Sequence, residues 1–382
     1  MTISDVLQRN VEEVLPSKKG LEQLAKGRKI RLYLGVDPTS PYMHLGHAVV
    51  LRKLREFQEL GHEVVLLFGT FTAQIGDPSG RDKAREPLSE KEIKRNMATY
   101  KKQAGKILDL ARITIQRNGD WLSRLKPRDF LKISSFFTAA QLLERDMFQN
   151  RIKKGGEVWM NELLYPLMQG YDSVAMDVDL EVGGTDQTFN MLVGRRLQKA
   201  YRNKEKFVLT VPLLLGLDGR KMSKSYGNTV NILDVPQDMY GKIMSMKDEL
   251  IPHYFEFCAD VSPKEAEGLA PRDAKAKLAK QIVAMYHGEK AAEKAQQEFE
   301  RVFRKKQAPS TIKSAEVSGK SVKLSDLLVQ VGLADSKSEA RRLVLQKGVK
   351  VEEIVQEDPE RVIRVKKGMV VQKGKREFRK IK

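Results

Sequence analysis

Between Lys29 and Phe68 the chain reads as strand, loop, helix and strand in immediate succession, an order that leaves few folds open. Lys29 to Val36 fits a buried strand, and Asp37, Pro38, Thr39, Ser40 and Pro41 must be loop, because two prolines cannot continue a ladder. Leu45 to Leu60 has helical periodicity, Gly61 suits a left-handed cap, and Glu63 to Phe68 is a second apolar strand. Such a unit builds parallel sheets. The alternation continues through a helix over Ser89 to Leu108, a strand over Arg112 to Gln116, and helices over Thr138 to Gln149 and Asn161 to Ala175. A strand over Val178 to Val182, a helix over Asp186 to Tyr201 and a strand over Lys206 to Val211 follow. The fold class is therefore α/β, a doubly wound parallel sheet over residues 1–228.

Beyond Pro236 the pattern is helical, at Met239 to Ser245, Ala274 to Tyr286 and Lys290 to Lys305, and predicts a small helical domain over 229–306. The stretch 307–319, with Pro309, Ser310, Ser314, Ser318 and Gly319, reads as a linker. Two short helices, Leu324 to Val331 and Ser336 to Lys347, and short strands such as Val349 to Val351 and Met369 to Gln372 make 320–382 a separate α+β module. Charge sets it apart. The chain carries a formal +19, and Gly319 to Lys382 alone holds 17 Lys or Arg against 9 Asp or Glu, a net of +8. A surplus of that size attracts polyanions, nucleic acid first among them, although a merely soluble basic protein would look the same. The single cysteine, Cys258, excludes an intrachain disulfide and suits a reducing compartment. The longest tight apolar run, Val64 to Phe68, is far below a membrane span, and the polar start after Met1 points to the cytoplasm.

Two motifs carry chemistry. His44, Leu45, Gly46 and His47 open the helix that follows the first strand and loop. Spacing of three puts both imidazoles on one side of the first turn, where free N–H groups already favour phosphate, and Gly46 lets a flat base lie against the backbone. Lys221, Met222, Ser223, Lys224 and Ser225 sit in a loop bracketed by Gly216, Gly219 and Gly227. Its two lysines can fold over a triphosphate and neutralise charge that develops at the α-phosphate. Taken singly, the first motif fits a pair of surface histidines and the second a solvated basic turn.

Together the motifs resemble the two signatures of class I aminoacyl-tRNA synthetases, HIGH and KMSKS, the second matched residue for residue. Within that class the chain resembles the tyrosyl-tRNA synthetases over essentially its whole length, through Tyr33 to Thr39, Gly76 to Gly80, Tyr165 to Asp172 and Gly183 to Gln187. The resemblance implies a Rossmann-like catalytic domain over 1–228, a helical anticodon-side domain and a C-terminal S4-like RNA-binding domain. It implies activation of L-tyrosine with ATP and Mg²⁺, without a resident cofactor or a protein-held metal, and transfer to tRNA(Tyr). Carried over by resemblance, Tyr33 and Asp172 read the tyrosine hydroxyl, while Tyr165 and Gln169, with Asp77 nearby, hold the ammonium. The spacing of Tyr165, Gln169 and Asp172 independently places the three on one helix face. Thr39 and His44 are implied at the γ-phosphate, His47 near the α-phosphate and ribose, and Lys221 and Lys224 at the transition state. Asp37, Gly46, Gly183, Met222 and Ser223 are implied to line the ATP site, Asp186 to accept from the ribose, Gln187 to lie near the reacting carboxylate, and Arg81 and Arg85 to contact pyrophosphate. Glu181 stands where the family often has glutamine, and its role is left unassigned.

The tryptophanyl enzymes share these signatures and remain the nearest alternative, as does an RNA-binding relative that no longer catalyses. The Tyr33 and Asp172 pair suits a phenol better than an indole. Ser336 to Leu343 matches the RNA-binding module that tyrosyl enzymes carry, with Arg341, Arg342, Lys347, Lys375 and Arg376 as its expected tRNA contacts. Phe136 to Asn161, within an inserted segment of about 118–176, matches the family's dimerisation region and predicts a C2 homodimer.

Overall fold

The expected sheet forms, and its strand order explains where a ligand can enter. The computed structural model describes residues 1–79, 88–223, 226–259, 261, 263–303, 312–374 and 377–382. Six strands make one sheet: β1 (Glu13–Leu15), β2 (Arg31–Val36), β3 (Glu63–Phe68), β4 (Thr114–Arg117), β5 (Leu180–Gly184) and β6 (Phe207–Val211). They lie in the order β1-β6-β5-β2-β3-β4, with β1 alone antiparallel, at the edge beside β6. Val64 to Phe68 are at most 1% exposed, as a strand covered on both faces requires. The chain moves outwards from β2 through β3 to β4, then adds β5 and β6 on the other side of β2. Connections leaving in opposite directions open a crevice beyond the C-terminal ends of β2 and β5.

Three helices frame that crevice: Leu45–Glu59, Met160–Met176 and Thr188–Arg202. The last two pack at glycines, since a Cβ at Gly170 would lie 2.8 Å from Val193 Cγ1 and 3.0 Å from the Gly194 nitrogen. The helix expected from Asp186 begins at Thr188, because Thr185–Gln187 first form a 3₁₀ turn. The helix expected over Thr138 to Gln149 is two, Ala139–Leu143 and Asp146–Lys153. Arg145 breaks it with extended backbone (ψ 129°) and places Nη2 2.8 Å from Ser79 Oγ. β1 was not expected, because three residues carry no readable period and its pairing comes from β6.

The described residues divide into two compact units, Met1–Gly288 and Glu289–Lys382. Helices Pro236–Met244, Ile251–Cys258 and Pro271–His287 belong to the first and Glu289–Phe303 to the second, so those expected as one domain over 229–306 fall on both sides of the division. In the second unit, β7 (Lys313–Ala315), β8 (Ser321–Lys323), β9 (Val349–Val351), β10 (Ile354–Gln356), β11 (Val362–Arg364), β12 (Val370–Lys373) and β13 (Glu377–Ile381) accompany helices Leu324–Gln330 and Lys337–Leu345. The five-stranded sheet runs β10-β9-β12-β13-β7, and β11 pairs with β8 separately. Leu324, Leu327, Leu328, Ala340, Val344 and Val371 close the core at 0% exposure. β7 corrects the linker expectation. Lys313–Ala315 falls inside 307–319, and it is ordered by parallel pairing with β13.

Candidate active site

A cavity of about 330 Å³ fills the crevice. Its walls come from the end of β2 (Leu34 to Asp37), the start of the Leu45–Glu59 helix (His44, Gly46, His47), the Met160–Met176 helix (Tyr165, Gln169, Asp172) and the end of β5 with the following turn (Glu181 to Gln187, except Thr185), closed by Lys221 and Met222.

The end near His44 is built on backbone. His44 caps the helix and its N–H donates to His47 Nδ1 at 3.2 Å, so the neutral His47 ring carries its proton on Nε2. The rings are 4.0 Å apart, centroid to centroid. Burial lowers His44 to about 2, with the neighbouring His47 and Lys221 adding to it, and burial lowers His47 to about 4. Both are uncharged near neutrality. Gly46 lies close under the His44 ring, where a Cβ would be a tight 3.0 Å from Nδ1 and so would press on the imidazole. Opposite, Lys221 Nζ donates to Asp186 Oδ2 at 2.9 Å. Its loop is pinned by Asn228, whose Oδ1 accepts from the Ser223 N–H at 2.8 Å and whose Nδ2 donates to Asp218 Oδ1 at 2.8 Å.

The other end is buried and acidic. Asp172 is 2% exposed and accepts from Trp121 Nε1 at 2.8 Å and Asn118 Nδ2 at 3.1 Å. Burial pushes its carboxyl well above the usual range, against the pull of those two donors. Asp37 accepts from Thr72 Oγ1 at 2.8 Å and from the Tyr165 hydroxyl at 3.0 Å, and Asp77 from Gln187 Nε2 at 2.7 Å. Gln169 donates to Glu181 at 3.1 Å, while its buried Oε1 has no hydrogen-bond partner among the described residues.

Most residues expected at a site from the first unit thus meet in one cavity, and the exceptions are specific. Tyr33 is fully buried behind Gly35 and is not on the wall; its hydroxyl lies 3.0 Å from Ser173 Oγ. Thr39 is not on the wall either, its N–H donating to the Asp37 carbonyl at 2.8 Å. Ser223 is not on the wall, and its backbone N–H is held within its own loop by Asn228. Arg81, Arg85, Lys224, Lys375 and Arg376 lie outside the described residues. In the second unit Arg341, Arg342 and Lys347 are exposed, Arg341 paired with Glu360 at 3.0 Å and Lys347 with Glu357 at 2.8 Å. Sequence reasoning missed Gly69, Thr72, Asn118, Trp121, Ser173 and Lys206. Gly69 and Asn118 directly follow β3 and β4, a position that could have marked them. Gly69 has no room for a side chain, since a Cβ would fall 1.9 Å from Asp37 Oδ1.

Residues 25–304 match the family described as tRNA synthetases class I (W and Y), and the fold and cavity belong with that class. Residues 304–381 match the Tyrosine--tRNA ligase SYY-like C-terminal domain. Tyrosine--tRNA ligases of Thermotoga maritima (46% identical, over 98% of this chain and 96% of that protein) and Moorella thermoacetica (44%, 98% and 94%) are similar nearly end to end. The chain belongs to the tyrosine--tRNA ligase family, which closes the tryptophanyl alternative. Among solved structures, the Archaeoglobus fulgidus tyrosyl-tRNA synthetase complexed with L-tyrosine is 25% identical with a TM-score of 0.62, over 77% of this chain and 99% of its own. A truncated mitochondrial tyrosyl-tRNA synthetase of Aspergillus nidulans, 23% identical over 79% of this chain and 94% of its own, shares the fold with a TM-score of 0.67.

Proposed function

We propose that the cavity seats L-tyrosine at its acidic end and MgATP at the end formed by His44, His47 and Lys221. As a tyrosine--tRNA ligase the chain activates tyrosine: a carboxylate oxygen attacks the α-phosphorus, the bond to the bridging oxygen breaks, and tyrosyl-adenylate and pyrophosphate result. A hydroxyl of the terminal tRNA adenosine then attacks the carbonyl carbon and AMP leaves. Catalysis is positioning and charge stabilisation, with no covalent enzyme intermediate. The observation that carries this reading is the polarity of the cavity, with Asp37, Asp77, Asp172 and the unpartnered Gln169 Oε1 at one end and a helix start with two neutral imidazoles and Lys221 at the other.

In this reading Tyr165, Gln169 and Asp77 hold the ammonium, Asp172 meets the phenol with Tyr33 behind it, and Gln187 lies beside the reacting carboxylate. Gly46, Gly183 and the Asp37 turn admit adenosine, and Asp186 accepts from the ribose once Lys221 swings from it to the phosphates. His44, His47, Thr39, Lys224, Arg81 and Arg85 serve the phosphates, whose Mg²⁺ arrives with ATP and keeps phosphate and water as ligands. Asp172 has one donor on each oxygen and lone pairs to spare, so it can accept a further hydrogen bond from a phenol hydroxyl that phenylalanine cannot offer. Pyrophosphate exchange into ATP, run with tyrosine, tryptophan and phenylalanine, tests the assignment; exchange driven equally by phenylalanine would overturn it.

The second unit, with Arg341, Arg342, Lys347, Lys375 and Arg376, is proposed to bind tRNA(Tyr), supported by its net positive charge and by the exposure of the three described residues. A C2 homodimer is supported by Leu131, Ile152, Trp159 and Met160, large hydrophobics left 46–73% exposed within the inserted segment. No described helix is long and apolar enough to cross a membrane, and the single buried Cys258 fits a cytoplasmic setting.

A further inference from the structure

Behind the acidic end lies an ion pair that the reaction as described does not use. Tyr33 and Glu181 are register partners on the neighbouring parallel strands β2 and β5, so their side chains leave the same face of the sheet. The Met160–Met176 helix covers that face and presents Gln169 and Ser173, four residues apart and therefore on one side of it. Between helix and sheet, at 0% exposure, the Lys206 side chain enters from just before β6. Its ammonium contacts Glu181, Ser173 Oγ at 2.8 Å and the Met191 carbonyl at 3.1 Å, which accounts for all three of its protons. Gly194 leaves the space, since a Cβ there would sit 2.6 Å from Nζ. Each partner of this ammonium holds a second group. Ser173 Oγ is 3.0 Å from the Tyr33 hydroxyl, and Glu181 Oε1 accepts from Gln169 Nε2 at 3.1 Å.

We propose that Lys206 and Glu181 are a positioning pair for the amino-acid pocket, fixing Gln169 through Glu181 and Tyr33 through Ser173, so that one buried ion pair sets both the ammonium end and the phenol end. This rests on the tyrosine assignment above. A carboxylate at 181 then has a definite role. An amide there could also accept from Gln169 but could not hold a buried lysine as an ion pair. The anchored Gln169 amide, on a residue of the cavity wall, keeps a buried Oε1 that has no hydrogen-bond partner among the described residues. A buried ammonium also offsets one of the four carboxylates, Asp37, Asp77, Asp172 and Glu181, that crowd a site for a ligand with a single ammonium.

The test is pyrophosphate exchange on the full chain with Glu181→Gln, Ser173→Ala and the double variant Lys206→Met with Glu181→Gln. Glu181→Gln leaves the lysine without its counter-charge and is expected to raise KM for tyrosine roughly tenfold or more, with KM for ATP within about twofold of the original. Ser173→Ala leaves the ion pair in place, removes one of the three acceptors of the Lys206 ammonium and releases the Tyr33 hydroxyl, so it should lower the preference for tyrosine over phenylalanine severalfold with a smaller change in KM than Glu181→Gln. The double variant removes both charges and restores an apolar stem against an amide, so KM should return toward the original. A merely structural role predicts something else: parallel loss of both KM values and of kcat, unchanged preference in Ser173→Ala, and no recovery in the double variant. That pattern, or an unchanged KM in Glu181→Gln, overturns the proposal. If the unaltered chain exchanges with tryptophan and not tyrosine, the tyrosine assignment fails instead.

Discussion

Lys206 with Glu181 in the first unit and Arg341 with Glu360 in the second are the same chemistry in opposite surroundings. The first pair is 0% and 2% exposed at its side chains, the second 56% and 44%. In a buried setting the two charges have given up water and depend on each other and on the remaining hydrogen bonds, whereas at the surface water and salt compete for both. Burial fixes geometry, which suits a pocket that must tell one amino acid from another. Exposure leaves cations available to an incoming polyanion. Lys206→Met without a compensating change at Glu181 should therefore destabilise the first unit by about 3–5 kcal/mol, read from the denaturant midpoint. Arg341→Ala should move the midpoint little; equal shifts would break the comparison.

Lys221 sharpens it, because exposure limits what a charge does for stability and not what it does for catalysis. Its side chain is 45% exposed and paired with Asp186. Lys221→Ala is expected to leave the unfolding midpoint nearly unchanged and to lower the adenylation rate by about 10²–10³-fold, with tyrosine affinity intact. A normal rate with weakened tyrosine binding, seen in single-turnover kinetics, would count against the assignment.

The Asp172 side of the cavity should answer differently. Asp172→Ala removes an acceptor from two buried donors, Asn118 and Trp121, and from the substrate hydroxyl together. At about 1–3 kcal/mol for such a loss, the preference for tyrosine over phenylalanine should narrow by roughly 5–150-fold, with some loss of stability. Full discrimination in Asp172→Ala would place the hydroxyl elsewhere.

What could be read from the sequence divides along the same line. The sheet, the helix opening at His44 and the Lys221 loop were legible because strands, caps and glycine loops are written locally, in periodicity and in a few neighbouring residues. Tyr165, Gln169 and Asp172 were placed on one face by spacing alone. Lys206, Ser173 and Asn118 were not legible. Their importance comes from strands and helices far apart in the chain meeting at one point, 140 residues between Tyr33 and Ser173, and no local pattern records that. Position 181 could be flagged as odd but not explained, because its partner is a lysine that in the sequence is only the first residue of an expected strand. The edge strand β1 and the strand β7 escaped for a similar reason, being three residues long and defined by their partners.

Acid offers a smaller contrast. All five histidines lie in the first unit, and burial holds His44 near 2 and His47 near 4 against an ordinary 6.5. Between about pH 4 and 6.5 the unfolded chain therefore binds protons at His47 that the folded one does not, so stability is whole above about 6.5 and falls with the pH through that window. The slope is at most about 1.4 kcal/mol per pH unit for each histidine, and His47→Gln should flatten it. Both tryptophans, Trp121 and Trp159, are in the first unit, so their fluorescence follows that unit alone. Glu360 acts in the same direction in a lower window: Lys323 and then Arg341 hold its carboxyl below the usual range, and its contribution is lost as the pH falls through that lowered value.

The smallest expected effect belongs to the exposed arginines, and it is the one that tests their proposed role. Arg341 shares Glu360 with Lys323, at 3.0 Å and 2.8 Å, so the carboxylate occupies cations that a phosphate would otherwise meet. An RNA phosphate must displace it, which a surface pair permits because water screens the partners at little cost. Each phosphate contact releases counterions, so the logarithm of tRNA affinity should fall linearly with the logarithm of salt. Arg341→Ala and Arg342→Ala should each make that line shallower by about 0.7–0.9 while leaving pyrophosphate exchange unchanged. Glu360→Gln should act oppositely, raising affinity a few-fold at low salt because Arg341 and Lys323 no longer have a carboxylate to leave. Filter binding across a salt series reads all three. Unchanged slopes in both arginine variants, with no gain in Glu360→Gln, would mean that this face does not meet RNA and that its charges serve solubility alone.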